Sequence, residues 1–230
     1  MRRVVVPIGA GLLALFVAEA AVAADLPPLG PAPEQPIVEF SSNWYARLDI
    51  GGSLNYIFPG SAFGTNFTST SIGDSLTGGI GIGFRKDWFR SDLTFDYTGN
   101  PRFTGTAGPN VVAANIASLT TLANGYVDLG TWSRWTPYVG VGVGVSMLEA
   151  DSVSDSSAAL GGLSSSTNWT FAWAAHAGVS YVISHNWMVD FSYRYLDMGD
   201  VHSNIPGAGS IDYGNLTANQ VRLGFRYQID

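Results

Sequence analysis

Gln220-Val221-Arg222-Leu223-Gly224-Phe225-Arg226-Tyr227-Gln228-Ile229 alternates without a break. Val221, Leu223, Phe225, Tyr227 and Ile229 fall on one side, and Gln220, Arg222, Gly224, Arg226 and Gln228 on the other. Successive side chains of an extended strand point to opposite faces, so the stretch predicts a strand with one apolar face and one face bearing two arginines. Alone, such a strand would leave both edges unpaired and prone to aggregate. Earlier segments must therefore supply its partners.

Seven do. Trp44 to Tyr56, Leu76 to Arg85, Phe89 to Tyr97, a segment near Leu119 to Leu129, Tyr138 to Met147, Trp169 to Ile183 and Trp187 to Tyr195 alternate with a period of two, with Ser91 an exception on the apolar side. Three of the connections are tight: Lys86-Asp87-Trp88, Trp132-Ser133-Arg134-Trp135 and Ser184-His185-Asn186. The other four are long and polar, from Pro59 to Asp74, Gly99 to about Ile116, Glu149 to Thr167 and Gly199 to Gly214, and are expected to be mobile external loops. Long and short connections thus alternate, the pattern of a transmembrane barrel with short periplasmic turns and long external loops. Each segment is also close to the roughly 9–11 residues that a tilted strand needs to span a bilayer. Aromatic residues gather at the segment ends, where interfacial girdles would lie: Trp44, Phe84, Trp88, Trp132, Trp135, Trp187 and Tyr227 at the turn side, and Tyr56, Tyr97, Trp169 and Tyr195 at the loop side.

Composition points the same way. Charged residues are 13% of the chain, against about 25% in ordinary soluble domains, and aromatics are also 13%. A soluble eight-stranded calyx would keep its apolar face inside and cover its outside with charge. Here the few strand charges share the face opposite the aromatics, so the apolar face is the outer one. The expected fold is all-β: an eight-stranded antiparallel up-and-down transmembrane β-barrel with an N-terminal signal peptide. With an even number of strands, both termini lie on one side, predicted to be periplasmic.

The first residues read as that signal peptide. Arg2 and Arg3 precede an apolar run from Val4 to Val17, and Ala21-Val22-Ala23 offers a small-residue cleavage site between Ala23 and Ala24. The expected organisation is a signal peptide at 1–23, a Pro-rich periplasmic lead-in at 24–42 and the barrel at 43–230. Pro27, Pro28, Pro31, Pro33 and Pro36 favour an extended lead-in without a core of its own. The chain has no cysteine, which excludes disulfides and thiol chemistry, and its net charge of -7 argues against a nucleic-acid partner.

In its Ala24-Asp25-Leu26-Pro27 start, its eight amphipathic segments and its last strand, the chain resembles the OmpA/OmpX-like eight-stranded outer-membrane barrels. It is most similar to the alphaproteobacterial opacity-type, porin-like surface antigens. The resemblance implies an assembly signal at the C-terminal strand, carried by Arg222, Gly224, Tyr227 and Ile229 and read by the barrel-assembly machinery. Asp230 departs from that pattern, which usually ends on an aromatic residue. Haem or adhesive binding is implied by some relatives, but the loops hold no basic cluster to support it.

An eight-stranded barrel is just wide enough for side chains to fill it. The inward face is predicted to carry Arg47, Arg85, Arg90, Arg194, Arg222 and Arg226 with Asp49, Asp92, Asp96, Asp128 and Asp190, a set expected to pair into a plug because an unpaired buried charge is costly. Against that stands a glycine row, Gly79, Gly81, Gly83, Gly140, Gly142 and Gly144, which leaves room for a water-filled volume or for tight packing. Catalysis is not expected. His176 has Gly178 two residues on, His202 has Asn204, and His185 sits in a turn, so no histidine has a nucleophile at strand spacing. No cofactor or metal is expected, because Asp151 and Asp155 lack the ligand density of a calcium loop. The reading is a monomeric barrel among outer-membrane lipid and lipopolysaccharide, with a structural and surface-interaction role and an unknown loop-bound ligand. A narrow passive channel is the alternative, and a lipid-modifying enzyme the third.

Overall fold

The computed structural model describes residues 43–58, 60–62, 65–99, 101–107, 110–155, 166–205 and 209–229. The signal peptide predicted at 1–23, its cleavage point at Ala23 and Ala24, the lead-in at 24–42 and Asp230 lie outside the described residues. Twelve strands are described: β1 (Trp44–Ile57), β2 (Ser61–Ala62), β3 (Thr65–Asn66), β4 (Ser69–Ile72), β5 (Ser75–Lys86), β6 (Phe89–Thr98), β7 (Arg102–Ala107), β8 (Asn110–Asp128), β9 (Trp135–Asp155), β10 (Ser166–Val182), β11 (Trp187–Ile205) and β12 (Gly209–Gln228).

Eight of them close a barrel. The hydrogen-bonded order is β1-β5-β6-β8-β9-β10-β11-β12, and β12 returns to β1 from Tyr45↔Gln228 to Ile57↔Leu216. Every described pairing is antiparallel, and the last strand finds its two partners in β11 and β1. At the turn end the strands reverse tightly. Lys86 pairs with Phe89 across Asp87-Trp88, where Asp87 takes a left-handed φ of 53°, a conformation that Asp tolerates.

The alternation places apolar side chains outward along the barrel. Leu48, Ile50, Ile80, Ile82, Val141, Val143, Phe191 and Val221 are all exposed, while Asp49, Asp92, Asp96, Asp190 and Arg194 on the opposite face are buried. A wall with this polarity is stable only where its outside meets hydrocarbon.

The predicted loops are a correction. β8 to β12 run for 19, 21, 17, 19 and 20 residues, far beyond the roughly 9–11 that span a bilayer. Much of each predicted loop is strand. β2, β3 and β4 fall within 59–74, β7 and the start of β8 within 99–116, β9 continues to Asp155, and β11 and β12 continue to Ile205 and from Gly209. The reason lies in which face is apolar. Above the bilayer the outer face meets water, so the outward apolar alternation stops and reads as loop. The ladder nevertheless persists, and the inward face becomes the apolar one. Val112, Ala114, Ile116, Leu122, Leu148, Ala150, Ala172, Ala174, Leu196, Met198, Leu216 and Ala218 are buried there as one cluster with Phe67, Phe103 and Tyr213. Phe103 meets Tyr213 edge-on at 5.1 Å and Phe67 at 5.7 Å, so β7 and the segment after β3 lie over the mouth.

One seam interrupts the wall. The described β10–β11 ladder ends at Trp173↔Asp197, although β10 starts at Ser166 and β11 runs on to Ile205. Register shifts separate Asp197 from Asp200 and Val201 from His202 on β11, and Gly199 between them takes φ 76°. Across the seam, side chains replace the ladder: Thr170 Oγ1 donates to Met198 O and Asn168 Nδ2 to His202 O.

Candidate functional site

The lumen is built in two ionic groups joined by tyrosines. In the group nearer the loop end, Arg47 Nε lies 2.8 Å from Asp49 and its Nη1 2.7 Å from Asp92. Asp96 takes both Arg194 Nη1, at 2.7 Å, and Arg222 Nη2, at 2.5 Å, and Arg222 also reaches Asp49 at 3.7 Å. Nearer the turn end, Arg90 and Arg85 share Asp128 at 2.8 and 3.7 Å, and Arg226 holds Asp190 at 2.6 Å. All eleven charges named from the sequence face the lumen, and each lies within ion-pair distance of another. Arg85, near the turn end, is the most exposed of them, at 25% of its side chain.

Tyrosines fill the space between the two groups. Tyr45 OH donates to Asp92 Oδ2 at 3.0 Å, and Arg226 lies over the Tyr45 ring at 5.5 Å. Arg47 Nη1 donates to Tyr126 OH at 3.0 Å. Arg90 sits between two rings, 4.4 Å from the centroid of Tyr138 and 5.3 Å from that of Tyr126. Such cation–π contacts strengthen where water is excluded. His176 Nε2 is 3.2 Å from Asn124 Oδ1 and so belongs to this packed network. Near the loop end, Arg194 Nε donates to Gln220 Oε1 at 2.8 Å, and Gln220 Nε2 donates to Ser53 Oγ at 3.2 Å.

The glycine row has its account here. Three inward tyrosines each face a glycine on the neighbouring strand: Tyr45 pairs with Gly83, Tyr126 with Gly140 and Tyr138 with Gly178. A Cβ added to any of these glycines would run into the opposing ring. Gly79 and Gly142 likewise make way for Asp96 and Asn124, their cross-strand partners. The row serves tight packing of large side chains rather than a water-filled volume. The ionic network was named from the sequence by charge alone. The tyrosines that complete it carried a readable signal, a large inward residue matched to glycine on the adjacent strand.

On the last strand, Arg222 and Gly224 point inward, with Gly224 packed between Asp49 and Asp190, and Tyr227 and Ile229 point outward. Tyr227 packs against Trp187 at 5.0 Å with the rings tilted by 58°.

A second candidate site lies outside the lumen, at the seam. A cleft of about 530 Å³ opens there between two walls. Trp169, Phe171 and Trp173 of β10 form one, and Asp197, Asp200 and His202 of β11 the other. Trp169 and Phe171 are 69% and 65% exposed, and Trp173 is braced by Tyr195 at 5.4 Å. Asp197 Oδ1 accepts from Gly199 N and from Asn215 Nδ2, both at 3.0 Å, which fixes the bulge. Asp200 is exposed, and His202 Nδ1 is 3.5 Å from Asp212 Oδ1.

A closed eight-stranded wall with an apolar outside and a filled ionic inside defines an integral outer-membrane β-barrel protein. The chain matches the outer membrane protein beta-barrel domain over residues 10–228, and it belongs to that family. An uncharacterized protein of Brucella suis is 31% identical over 218 residues, covering 77% of this chain and 75% of the relative. A candidate adhesin of Rickettsia bellii is 29% identical over 201 residues, covering 82% and 84%. Among solved structures, the Neisserial surface protein A superimposes with a TM-score of 0.54 at 20% identity, over 82% of this chain and 98% of that one, a likeness of fold.

Proposed function

We propose that the protein is a non-conducting, non-enzymatic barrel that reinforces the outer membrane and carries a folded external wall for surface contacts. The observation that carries this reading is the seating of Tyr45, Tyr126 and Tyr138 on Gly83, Gly140 and Gly178 amid paired charges. That packing leaves the barrel stiff and argues against the narrow-channel alternative. The surface role draws on the length of β8 to β12 beyond the bilayer and on the Rickettsia relative named as a candidate adhesin. A catalytic reading finds no support in His176, whose ring is engaged by Asn124 inside the packed lumen.

In this reading the tight turns at Asp87, Ser133 and Asn186 face the periplasm with both termini, and the long walls face outward. The barrel is a monomer whose exposed belt contacts outer-membrane lipid and lipopolysaccharide, and Tyr227 and Ile229 present the assembly signal to the barrel-assembly machinery. The test pairs two measurements. Liposomes holding the refolded barrel should show no solute or ion leakage above empty liposomes, and cells displaying it should attach to a host-matrix surface better than cells without it. Stable conductance would overturn the plugged-barrel reading, and unchanged attachment the surface role.

A further inference from the structure

The loop end is lopsided in charge. Among the described residues, Asp74, Glu149, Asp197, Asp200 and Asp212 lie toward that end, and Arg102 is the basic residue there. The chain's other described cations are held in the lumen or sit at the turn end, as Lys86 and Arg134 do. An external face of this sign attracts cationic partners and repels phosphate-rich ones.

At the seam that field meets a shaped surface. Trp169 and Phe171 present exposed ring faces on one side of the cleft, and the exposed carboxylate of Asp200 stands on the other. Asp197 Oδ1 is held by Gly199 and Asn215, so Asp197 shapes the wall while the more exposed Asp200 presents its carboxylate to a ligand. Aromatic faces opposite a carboxylate are complementary to a flat or rounded organic cation: the rings attract it through their quadrupoles and the carboxylate pairs with it. At about 530 Å³ the cleft has room for a long side chain with its flanking backbone, or for two. The bulge at Asp197 to Asp200 re-aims the β11 side chains, and the Thr170–Met198 and Asn168–His202 bonds fix the two walls at the floor of the cleft.

We infer that the cleft between β10 and β11 is a docking site for a lysine- and arginine-rich polypeptide segment. The inference rests on the surface-contact reading above and names its partner by chemistry. Charge complementarity selects a basic segment over an anionic glycan or a lipid phosphate, and the indole and phenyl faces favour arginine over a simple ion.

The experiment uses the full barrel, refolded in detergent micelles and checked by its heat-modifiable gel shift. The probe is a fluorescent nona-arginine peptide, with nona-glutamate and maltoheptaose as the acidic and neutral probes. Nona-arginine should bind saturably and weaken steeply as salt rises from about 0.01 M to 1 M, because its contacts are at the surface. Trp169→Ala and Asp200→Asn should each weaken binding about three- to tenfold. Asp74→Asn, away from the cleft, should change it less than about twofold. Trp169→Phe keeps a ring face and should stay within about threefold of the parent, so a misfolded alanine variant does not leave the question open. Binding of nona-arginine that ignores both cleft substitutions overturns the site, and equal binding of nona-glutamate or maltoheptaose overturns the partner class. If cells still attach to matrix while the cleft variants bind like the parent, this inference fails and the surface-contact reading stands. Leaky liposomes would fail the plugged barrel and leave the peptide result untouched.

Discussion

Arg194 and Asp96 are 98 positions apart in the chain and 2.7 Å apart across the lumen, both essentially without solvent exposure. Arg222 joins the same carboxylate from β12, so a single aspartate ties β6 to β11 and β12 through the interior. Removing it leaves the buried Arg194 without a carboxylate and Arg222 with Asp49 at 3.7 Å. Asp96→Ala is expected to destabilise the barrel by about 3–5 kcal/mol, the usual cost of breaking a buried pair from one side. Denaturant midpoints of the refolded protein measure this. Asp96→Leu combined with Arg194→Met should cost less than Asp96→Ala alone, because an apolar replacement leaves one fewer orphaned charge.

The tyrosine–glycine pairs give the lumen its solidity and predict opposite results from opposite substitutions. Gly83→Val forces the Tyr45 ring aside and should cost about 1–3 kcal/mol, with slower refolding as the visible sign. Tyr45→Gly together with Tyr138→Gly removes both rings and should turn a silent barrel into a conducting one in planar bilayers. If the double variant folds and stays silent, the rings are not what closes the passage.

The apolar cluster at the mouth should act as a core of its own. Leu148→Ala is expected to lose about 2–5 kcal/mol through the cavity it leaves. Limited proteolysis should then nick the loop end while the strands within the bilayer stay protected. Cleavage at the turn end instead would contradict this placement of the core.

At the seam, Thr170 and Asn168 stand in for missing backbone bonds. Thr170→Val and Asn168→Ala should each cost about 1 kcal/mol. Amide exchange should quicken at 166–172 and 198–205 while 173–182, where the ladder is intact, remains slow.

The last strand carries a prediction made from its sequence alone. Tyr227→Ser with Ile229→Ser keeps the inward Arg222 and Gly224 but erases the outward pair. The folded barrel recovered from outer membranes should fall sharply, and normal recovery would refute the assembly role.

What could be read from the residues, and what could not, divides at the bilayer surface. Within the membrane, the outward row Leu48, Ile50, Ile80 and Ile82 and the inward row Asp49, Asp92 and Asp96 have opposite polarity, so the alternation stated the strand, its face and its environment together. Above it, Val112, Ala114 and Ile116 keep the inward parity of Asn124 and Tyr126 further down β8 but turn apolar, with Ala113 and Asn115 between them. A scan for outward apolar residues stops there and reports a loop. Leu122, set between Thr120 and Asn124, and Leu148, following Ser146 in its inward row, were the available hint of a second core. The ion pairs followed from charge and parity, but who pairs with whom did not. Arg222 reaches Asp96 and Asp49 only because the barrel closes and brings β12 beside β1 and opposite β6. The cleft at Trp169 was hidden for a similar reason, since a broken ladder is a property of two strands and neither one announces it.

The reversal of polarity along the strands also fixes how deep the barrel floats. The outward oily belt ends on β11 near Tyr195, where the next outward position is Asp197, and the dry mouth begins at the same height with Leu196 and Met198. Sinking the barrel by one residue pair would draw Asp197 and the bulge beyond it into hydrocarbon, and raising it would lift Tyr193 and Tyr195 out of the interface they anchor. The wall therefore works as a depth gauge. A membrane of different thickness must stretch or thin around the protein, because the protein has no neutral stretch along which to slide.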